Sequence, residues 1–249
     1  MFHRLVDYLT PVASTNYQYS LRAANLDKLI IRYNADDHAN GMTFAETDLV
    51  KFYGSYKRIL NGVQKEVLFL EGARFEDLAK YTNGVGGLCQ IPGTNCPTII
   101  QAVIDLGQVF LKGEEELNLQ VQFGAVGTLT NAHFSIYGAK THNMMTPVKK
   151  YTSFNNQAEV NFRRVLECYS AGVSGALGTT TVIVNAGGVQ YSVPEYIAQS
   201  LELGLGSFEE DESTATWELI FIDPNRQGTD ISVRSDANTE LFAVQLASW

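Results

Sequence analysis

The sequence predicts an all-β protein made of two similar antiparallel β-sandwiches in tandem. Three observations predict this class. Short apolar or alternating segments bounded by Gly, Asn and Pro recur along the chain, helical periodicity is scarce, and the segments repeat in the same order in both halves. The 249 residues suit one large domain or two small ones, and a hydrophobic content of 45% is enough for a packed core.

Six segments carry the strand signal. They are residues 29–33, 66–71, 117–123, 179–184, 217–222 and 240–246. Residues 117–123 alternate apolar and polar side chains, the period-two pattern of a half-buried strand. Residues 179–184 are rich in β-branched side chains, and residues 217–222 end before Pro224, which cannot continue a ladder. These segments favour an antiparallel sandwich.

Helical pattern is limited to short segments. We expect single short helices at residues 4–9, 75–81 and 194–201. The stretch from Thr43 to Leu60 is ambiguous. It opens with the spacing of a capping box, Thr43 to Glu46, and continues with helically spaced apolar residues, but Gly54 interrupts them. Helix and strand–turn–strand both remain open there.

An internal repeat divides the chain. Glu66-Val-Leu-Phe-Leu-Glu-Gly72 resembles Glu218-Leu-Ile-Phe-Ile-Asp-Pro224, and three weaker matches occur in the same order in both halves. We therefore expect an N-terminal segment at 1–11, a first sandwich at 12–127, a linker at 128–149 and a second sandwich at 150–249. The linker has room for one strand, at residues 132–137.

The charge balance argues against nucleic-acid binding. The chain carries 18 basic and 27 acidic residues, a net charge of −9, so it does not neutralise phosphates as a nucleic-acid-binding protein does. Ten of the acids and only two of the bases fall in residues 201–249. We expect no sequence-specific binding of nucleic acid.

The cysteines and the N-terminus favour a protein made in a reducing cytoplasm. The N-terminus lacks the apolar stretch of a signal peptide, and no apolar run approaches a membrane span. Cys89, Cys96 and Cys168 are too few for a disulfide scaffold. We interpret Cys168 as a small buried hydrophobe and leave the redox state of Cys89 and Cys96 open.

No catalytic, cofactor-binding or metal site is predicted. The histidines at positions 3, 38, 133 and 142 form no metal-binding pair. The segment around Ser174 lacks the spacing of a nucleophile elbow, and the run Asn83-Gly-Val-Gly-Gly87 lacks the Lys-Ser/Thr of a phosphate loop. The two segments are therefore interpreted as turns, and the histidines as ordinary surface residues.

Two charged clusters are also assigned to solvated surface. Glu209-Glu-Asp-Glu212 could hold calcium, but a solvated loop is the favoured interpretation. The pair Arg163-Arg164 is interpreted as ordinary surface charge. The 27 aromatic residues (Tyr 12, Phe 13, Trp 2) lie mostly within strand patterns, where a core or subunit contacts require them.

Four stretches carry a family resemblance. They are Ile31-Arg-Tyr-Asn34, Lys51-Phe-Tyr-Gly54 with Tyr56-Lys57 and Leu60-Asn61, Phe69 with Phe75-Glu-Asp-Leu78, and the final strand from Leu241 to Trp249. In order and spacing the chain resembles the double jelly-roll major capsid proteins of tailless icosahedral, membrane-containing phages, most nearly the corticovirus type. It departs from them in loop lengths, notably in the loop holding Cys89 and Cys96.

The resemblance implies two tandem eight-stranded jelly rolls with a few short helices, and a structural protein rather than an enzyme, without cofactors. It implies a homotrimer that forms a pseudo-hexagonal tile of a virion shell, assembled in the host cytoplasm. The implied partners are neighbouring capsomers, penton and minor capsid proteins. The N-terminal segment, with Leu5, Val6, Tyr8 and Leu9, contacts an internal viral membrane or neighbouring tiles, or packs on its own domain; both alternatives stay open.

Two other functions fit the composition. Aromatic residues and abundant carboxylates suit a carbohydrate-binding or glycoside-processing β-sandwich protein, although no local motif selects a carboxylate pair. A penton or minor tile is a third possibility. Such components usually need one jelly roll, whereas the internal repeat favours two.

Overall fold

The computed structural model describes residues 2–22, 25–35, 50–82, 86–90, 98–125, 132–140, 148–154, 159–162, 165–173, 180–186, 189–194, 215–221, 230–235 and 240–247. The chain divides into two compact units. Unit 1 comprises residues 1–149 and 247–249, and unit 2 comprises residues 150–246.

Nearly all of the described elements are strands. Unit 1 contains β1 (Phe2–Leu9), β2 (Asn16–Arg22), β3 (Asn25–Ala35), β4 (Val50–Leu60), β5 (Val63–Arg74), α1 (Phe75–Tyr81), β6 (Leu88–Gln90), β7 (Thr98–Phe110), β8 (Glu116–Phe123) and β9 (Ala132–Ala139). Unit 2 contains β10 (Lys149–Phe154), whose first residue belongs to unit 1, and β11 (Glu159–Phe162), β12 (Val165–Val173), β13 (Thr180–Ala186), β14 (Val189–Pro194), β15 (Ala215–Phe221), β16 (Asp230–Ser235) and β17 (Glu240–Leu246).

Unit 1 is a sandwich of two antiparallel arrays. One has the strand order β1-β9-β3-β7-β6 and the other the order β5-β4-β8-β2. Burial alternates strictly along β8, where Leu117, Leu119, Val121 and Phe123 are buried and the residues between them are half-buried. The alternation predicted from the sequence is confirmed, because one face of the strand packs on the core and the other does not.

An aromatic cluster joins the two arrays. Phe134 on β9 lies 6.1 Å from Phe52 on β4 and 5.4 Å from Phe123 on β8, measured between ring centroids. Phe75, the first residue of α1, lies 5.3 Å from Phe52 and 6.2 Å from Phe134. All four side chains are essentially inaccessible to water. The cluster therefore fastens both arrays and the helix into one core.

The helix predicted at residues 75–81 is confirmed as α1. Phe75, Leu78 and Ala79 form its buried face, and two acidic residues occupy the first turn, where the helix dipole favours negative charge. At its C-terminal end the hydroxyl of Thr82 donates to the carbonyl of Leu78 at 2.7 Å. The same oxygen accepts a hydrogen bond from the backbone N–H of Val103 on β7 at 3.2 Å, which ties the helix end to the sheet.

Helix and strand were both open for the stretch from Thr43 to Leu60, and residues 50–60 form a strand, β4. Residues 43–49 lie outside the described part of the chain. Gly54 interrupts the apolar pattern because a Cβ there would lie 2.5 Å from the ring of Phe69. That ring also stacks on Tyr56, with 4.6 Å between centroids. The glycine thus makes room for an aromatic side chain inside the sheet, and helical spacing was the wrong period for this strand.

The N-terminal segment is also a strand, so the short helix expected at residues 4–9 is wrong. β1 pairs antiparallel with β9, and Val6 is only 8% exposed. β9 pairs on its other side with β3. Residues 132–139, within the range expected to be a linker, therefore occupy an interior position of the sheet. Residues 2–9 thus pair within their own unit, which is the second of the two alternatives open for the N-terminal segment.

Unit 2 has two antiparallel arrays, with the orders β15-β12-β17-β10 and β11-β16-β13-β14. The strands predicted at 179–184, 217–222 and 240–246 fall on β13, β15 and β17. β13 and β14 form a hairpin in which Ala186 is opposite Val189. β14 reaches Pro194, so most of the helix expected at 194–201 lies outside the described residues.

Candidate functional site

The array β5-β4-β8-β2 presents its second face away from the core, and we call this surface the polar face. One row of residues crosses it in register: Arg22 on β2, Glu116 on β8, Lys57 on β4 and Glu66 on β5. The charges alternate in sign from strand to strand. Opposite charges on neighbouring strands stabilise the pairing, whereas like charges would oppose it.

Glu116 is the centre of this row. Its carboxylate accepts hydrogen bonds from Asn118 Nδ2 at 3.2 Å, Lys57 Nζ at 3.2 Å, Ser20 Oγ at 3.1 Å and Arg22 Nε at 3.3 Å. These donors, with Asn118 and Lys57 the strongest, lower the pKa of Glu116 to about 2. The carboxylate therefore stays ionised well into the acid range and joins three strands.

An open cleft of about 600 Å³ lies beside this row on the polar face. Amide and hydroxyl side chains line it, together with the charged Lys57 and Glu66 and the exposed Tyr53 and Leu68. Ser55 on the cleft floor donates to Glu66 Oε1 at 2.6 Å. The lining contains neither histidine nor cysteine.

The hairpin that joins β4 to β5 ends in an exposed apolar group, which we call the apolar tip. Leu60 and Val63 face each other across a two-residue loop, Asn61-Gly62. Both loop residues have positive φ, 52° and 77°, as a type I′ turn requires. Ile59, Leu60 and Val63 are 44%, 36% and 58% exposed. These three side chains define the apolar tip.

A buried carboxylate holds the neighbouring turn against this hairpin. Glu115 accepts hydrogen bonds from the backbone N–H of Ile59 at 3.0 Å and of Lys112 at 2.9 Å. Desolvation raises the pKa of Glu115, but these two bonds and the nearby charges of Arg58 and Lys112 outweigh it, so the net pKa is lowered. The carboxylate thus joins the β7–β8 connection to the end of β4.

The residues considered in the sequence for chemistry are scattered. His3 lies on β1, His133 on β9, Cys89 on β6 and Cys168 on β12. The others lie outside the described residues: His38, Cys96, His142, Arg163, Arg164, Ser174 and Glu209–Glu212. Within the described part of the chain, no three His, Cys, Asp or Glu side chains come together as metal ligands would. The same residues include no helix of the length and apolarity needed to cross a membrane.

Sequence reasoning missed both surfaces described above. The alternation of residues 117–123 indicated a polar face on β8, but nothing local shows that Arg22 and Lys57 flank Glu116. The hairpin did have a local signal. Asn-Gly between two apolar segments is the strongest short-range indication of a two-residue hairpin, and Asn61-Gly62 has that form.

Comparisons with known proteins identify the fold. No protein-family profile matches the chain, and no curated protein matches it by sequence. Among solved structures, the STIV major capsid protein matches with a TM-score of 0.61 and 12% identity, covering 99% of this chain and 95% of that one. The major capsid protein P2 of bacteriophage PM2 matches with a TM-score of 0.55 and 11% identity, covering 100% and 97%. VP54 of PBCV-1 matches with a TM-score of 0.54 and 6% identity, covering 98% and 92%.

These neighbours are double jelly-roll capsid proteins, structural proteins rather than enzymes. The resemblance found in the sequence is thereby confirmed at the level of the fold. The match extends over nearly the whole of both chains, and the predicted all-β class holds throughout the described residues. The chain has the double jelly-roll fold of these viral major capsid proteins.

Proposed function

We propose that the chain is a major capsid protein, which forms pseudo-hexagonal trimeric tiles of an icosahedral virion shell. The observation that carries the proposal is the double jelly-roll fold, matched over almost the full length of three viral major capsid proteins. The same neighbours favour a structural capsid role over a carbohydrate-binding or glycoside-processing one.

The architecture suits a tile for a geometric reason. Two similar jelly rolls per chain give six per trimer, so three copies produce an outline close to sixfold symmetry. Closed threefold symmetry also repeats one interface three times and leaves no open end. In this proposal the two jelly rolls are units 1 and 2, which extend the sandwiches expected at 12–127 and 150–249 by taking in β1 and β9.

The polar face suits contacts between subunits. It displays the Arg22–Glu116–Lys57 row, the amide-lined cleft and the exposed Tyr53 and Leu68. Aromatic side chains surrounded by polar groups are typical of the energetically important part of a protein interface. Neighbouring capsomers, penton proteins and minor capsid proteins are the proposed partners, the virion is the proposed location, and the host cytoplasm is the proposed place of assembly.

Native mass and particle formation test the proposal. We expect light scattering to give a trimer of about 82 kDa, three times the 27.5 kDa chain, and electron microscopy to show hexagonal tiles or shells as the concentration rises. Glycan arrays with the same preparation are the control. A monomer at every concentration that neither forms particles nor is found in virions, but binds glycans, would contradict the proposal.

A further inference from the structure

Strand β2 is an open edge of its array. Within the described residues, β8 is the strand that pairs with it, and no strand lies along its other side. The pairing with β8 runs over seven consecutive positions, from Asn16 opposite Gln122 to Arg22 opposite Glu116, without a register shift. A regular edge of this length presents a row of unpaired backbone groups, which is a template for another strand.

The hydrogen bonds at the start of β2 show which backbone groups face the open side. The backbone N–H of Phe123 donates to the carbonyl of Thr15 at 2.9 Å, and this pair continues the register of β2 and β8 by one residue. Backbone groups of an antiparallel strand alternate in direction, so the odd-numbered residues of β2 bond to β8. The N–H and C=O groups of Gln18 and Ser20 therefore point to the open side.

Apolar side chains of β2 are incompletely covered at the same edge. Tyr17, Tyr19 and Leu21 are half-buried, although they belong to the face of the array that packs on the core. The residues opposite them on β8 are at most 1% exposed. A strand added beside β2 would continue this row and remove more apolar surface from water.

Other edge strands of the described chain have features that discourage pairing. β1 has two register shifts against β9, β6 has three residues, and β14 ends in Pro194. Irregular pairing, short length and proline all protect a sheet edge from unwanted strands. β2 has none of these features, and its charged residue, Arg22, is at the last position. We therefore expect its edge to be used.

Strand β15 is a matching edge in unit 2. It begins the order β15-β12-β17-β10, has seven residues as β2 does, and pairs with β12 over seven positions without a register shift. Within the described residues its other side is also open. The formal charges of the two strands are opposite, since residues 16–22 contain one base and no acid, and residues 215–221 contain one acid and no base.

We propose that β2 of one copy pairs with β15 of a second copy, so that chains join head to tail through these two edges. Main-chain hydrogen bonds supply the contact, as in other cases of strand addition, and the row from Tyr17 to Leu21 supplies apolar area. The inference rests on the proposed function, because a head-to-tail contact repeated around a threefold axis closes a ring of three chains. Pairing of β2 with a second β2 would end at a dimer and leave β15 open.

The variant Gln18→Pro tests the contact at β2. Proline removes the N–H that faces the open side and no bond to β8, so unit 1 should still fold. We expect trimers to require a concentration about ten-fold higher or more, measured by light scattering. Gln18→Ala keeps the N–H and is the matched control, which should shift that concentration less than about two-fold. Thermal melts of both variants verify that they are folded.

Amide hydrogen exchange identifies the partner strand. In trimers of the unmodified chain, the amides of Gln18, Ser20 and residues 215–221 should exchange more slowly than in chains diluted to monomers. At the concentration where the unmodified chain is trimeric, Gln18→Pro should lose the added protection of residues 215–221, although the substitution lies in unit 1. Residues 116–123 on β8, which has a strand on each side, are the reference and should not change.

The outcomes separate this inference from the proposed function. Trimers or shells that form equally well from Gln18→Pro and Gln18→Ala overturn the inference and leave the capsid role intact. Protection of β2 without protection of residues 215–221 also overturns it, because β2 then pairs with a different strand. Fast exchange at Gln18 and Ser20 under all conditions does the same. Open filaments in place of trimers, with both edges protected and both exposed again by Gln18→Pro, support the inference and count against the trimeric tile.

Discussion

The two faces of the array β5-β4-β8-β2 are built from alternate residues of the same strands, yet they differ in almost every physical respect. The inner face holds Phe52, Tyr56 and Phe123, all without access to water. The outer face holds Glu116 with its four donors and an open cleft. One strand can therefore contribute one set of side chains to the core and another to the surface, since period-two alternation keeps the two sets apart.

The largest expected effect comes from the core against which the inner face packs, where Phe134 of β9 meets Phe52 and Phe123. Phe134→Ala removes the ring that contacts Phe52, Phe75 and Phe123, and should lower the free energy of unfolding by roughly 3–5 kcal/mol. Chemical denaturation measures the change. Tyr53→Ala on the polar face is the matched aromatic control and should cost less than about 1 kcal/mol. Equal losses in the two variants would remove the distinction between the faces.

An intermediate effect is expected at Gly54. Gly54→Ala places a methyl group against the ring of Phe69 and should cost roughly 1–3 kcal/mol, because a close-packed core has no space for it. The same substitution in a Phe69→Leu background should cost less, since the smaller side chain leaves room. A double-mutant cycle by denaturation measures this coupling. Additive costs would show that the ring is not the obstacle.

The smallest effect is expected at Glu116. Its folded-state pKa of about 2 is below its ordinary value of 4.5, so its contribution to stability is present above pH 4.5 and is lost as the pH falls toward about 2. Glu116→Gln should therefore flatten the acid side of the stability profile and leave the core unaffected. Urea midpoints measured across this pH range test it. A variant that keeps the slope of the unmodified protein would contradict the assignment.

The predictions from the sequence differ in accuracy, because some elements depend on neighbouring residues and others on residues far away in the sequence. Residues 117–123 and 75–81 were predicted as strand and helix because alternation and a helically spaced apolar face are local patterns. Residues 4–9 were predicted as helix and form β1, because their pairing with β9 lies more than 120 residues away in the sequence. The strand period of β4 could not be recognised in the sequence, because Gly54 stands at a position where the ring of Phe69 leaves no room for a side chain.

The candidate surfaces were less accessible to prediction than the fold. The exposed Asn61-Gly62 hairpin had a local signal, but the exposure of Ile59, Leu60 and Val63 depends on where the sandwich ends. The Arg22–Glu116–Lys57 row combines residues from three strands whose order, β4-β8-β2, does not follow the sequence. A charge far away in the chain becomes a neighbour only through that order.

The sequence alone was enough to predict the all-β class, the positions of β3, β5, β8, β9, β13, β15 and β17, and the resemblance to double jelly-roll capsid proteins. Alternation, β-branched content and turn residues act within a few residues, so they can be read without the fold. The tertiary structure was needed to establish which strands pair, which glycine makes room for an aromatic ring, and which charges meet on the polar face. Those outcomes depend on contacts between distant segments, which form when the two arrays close on a common core.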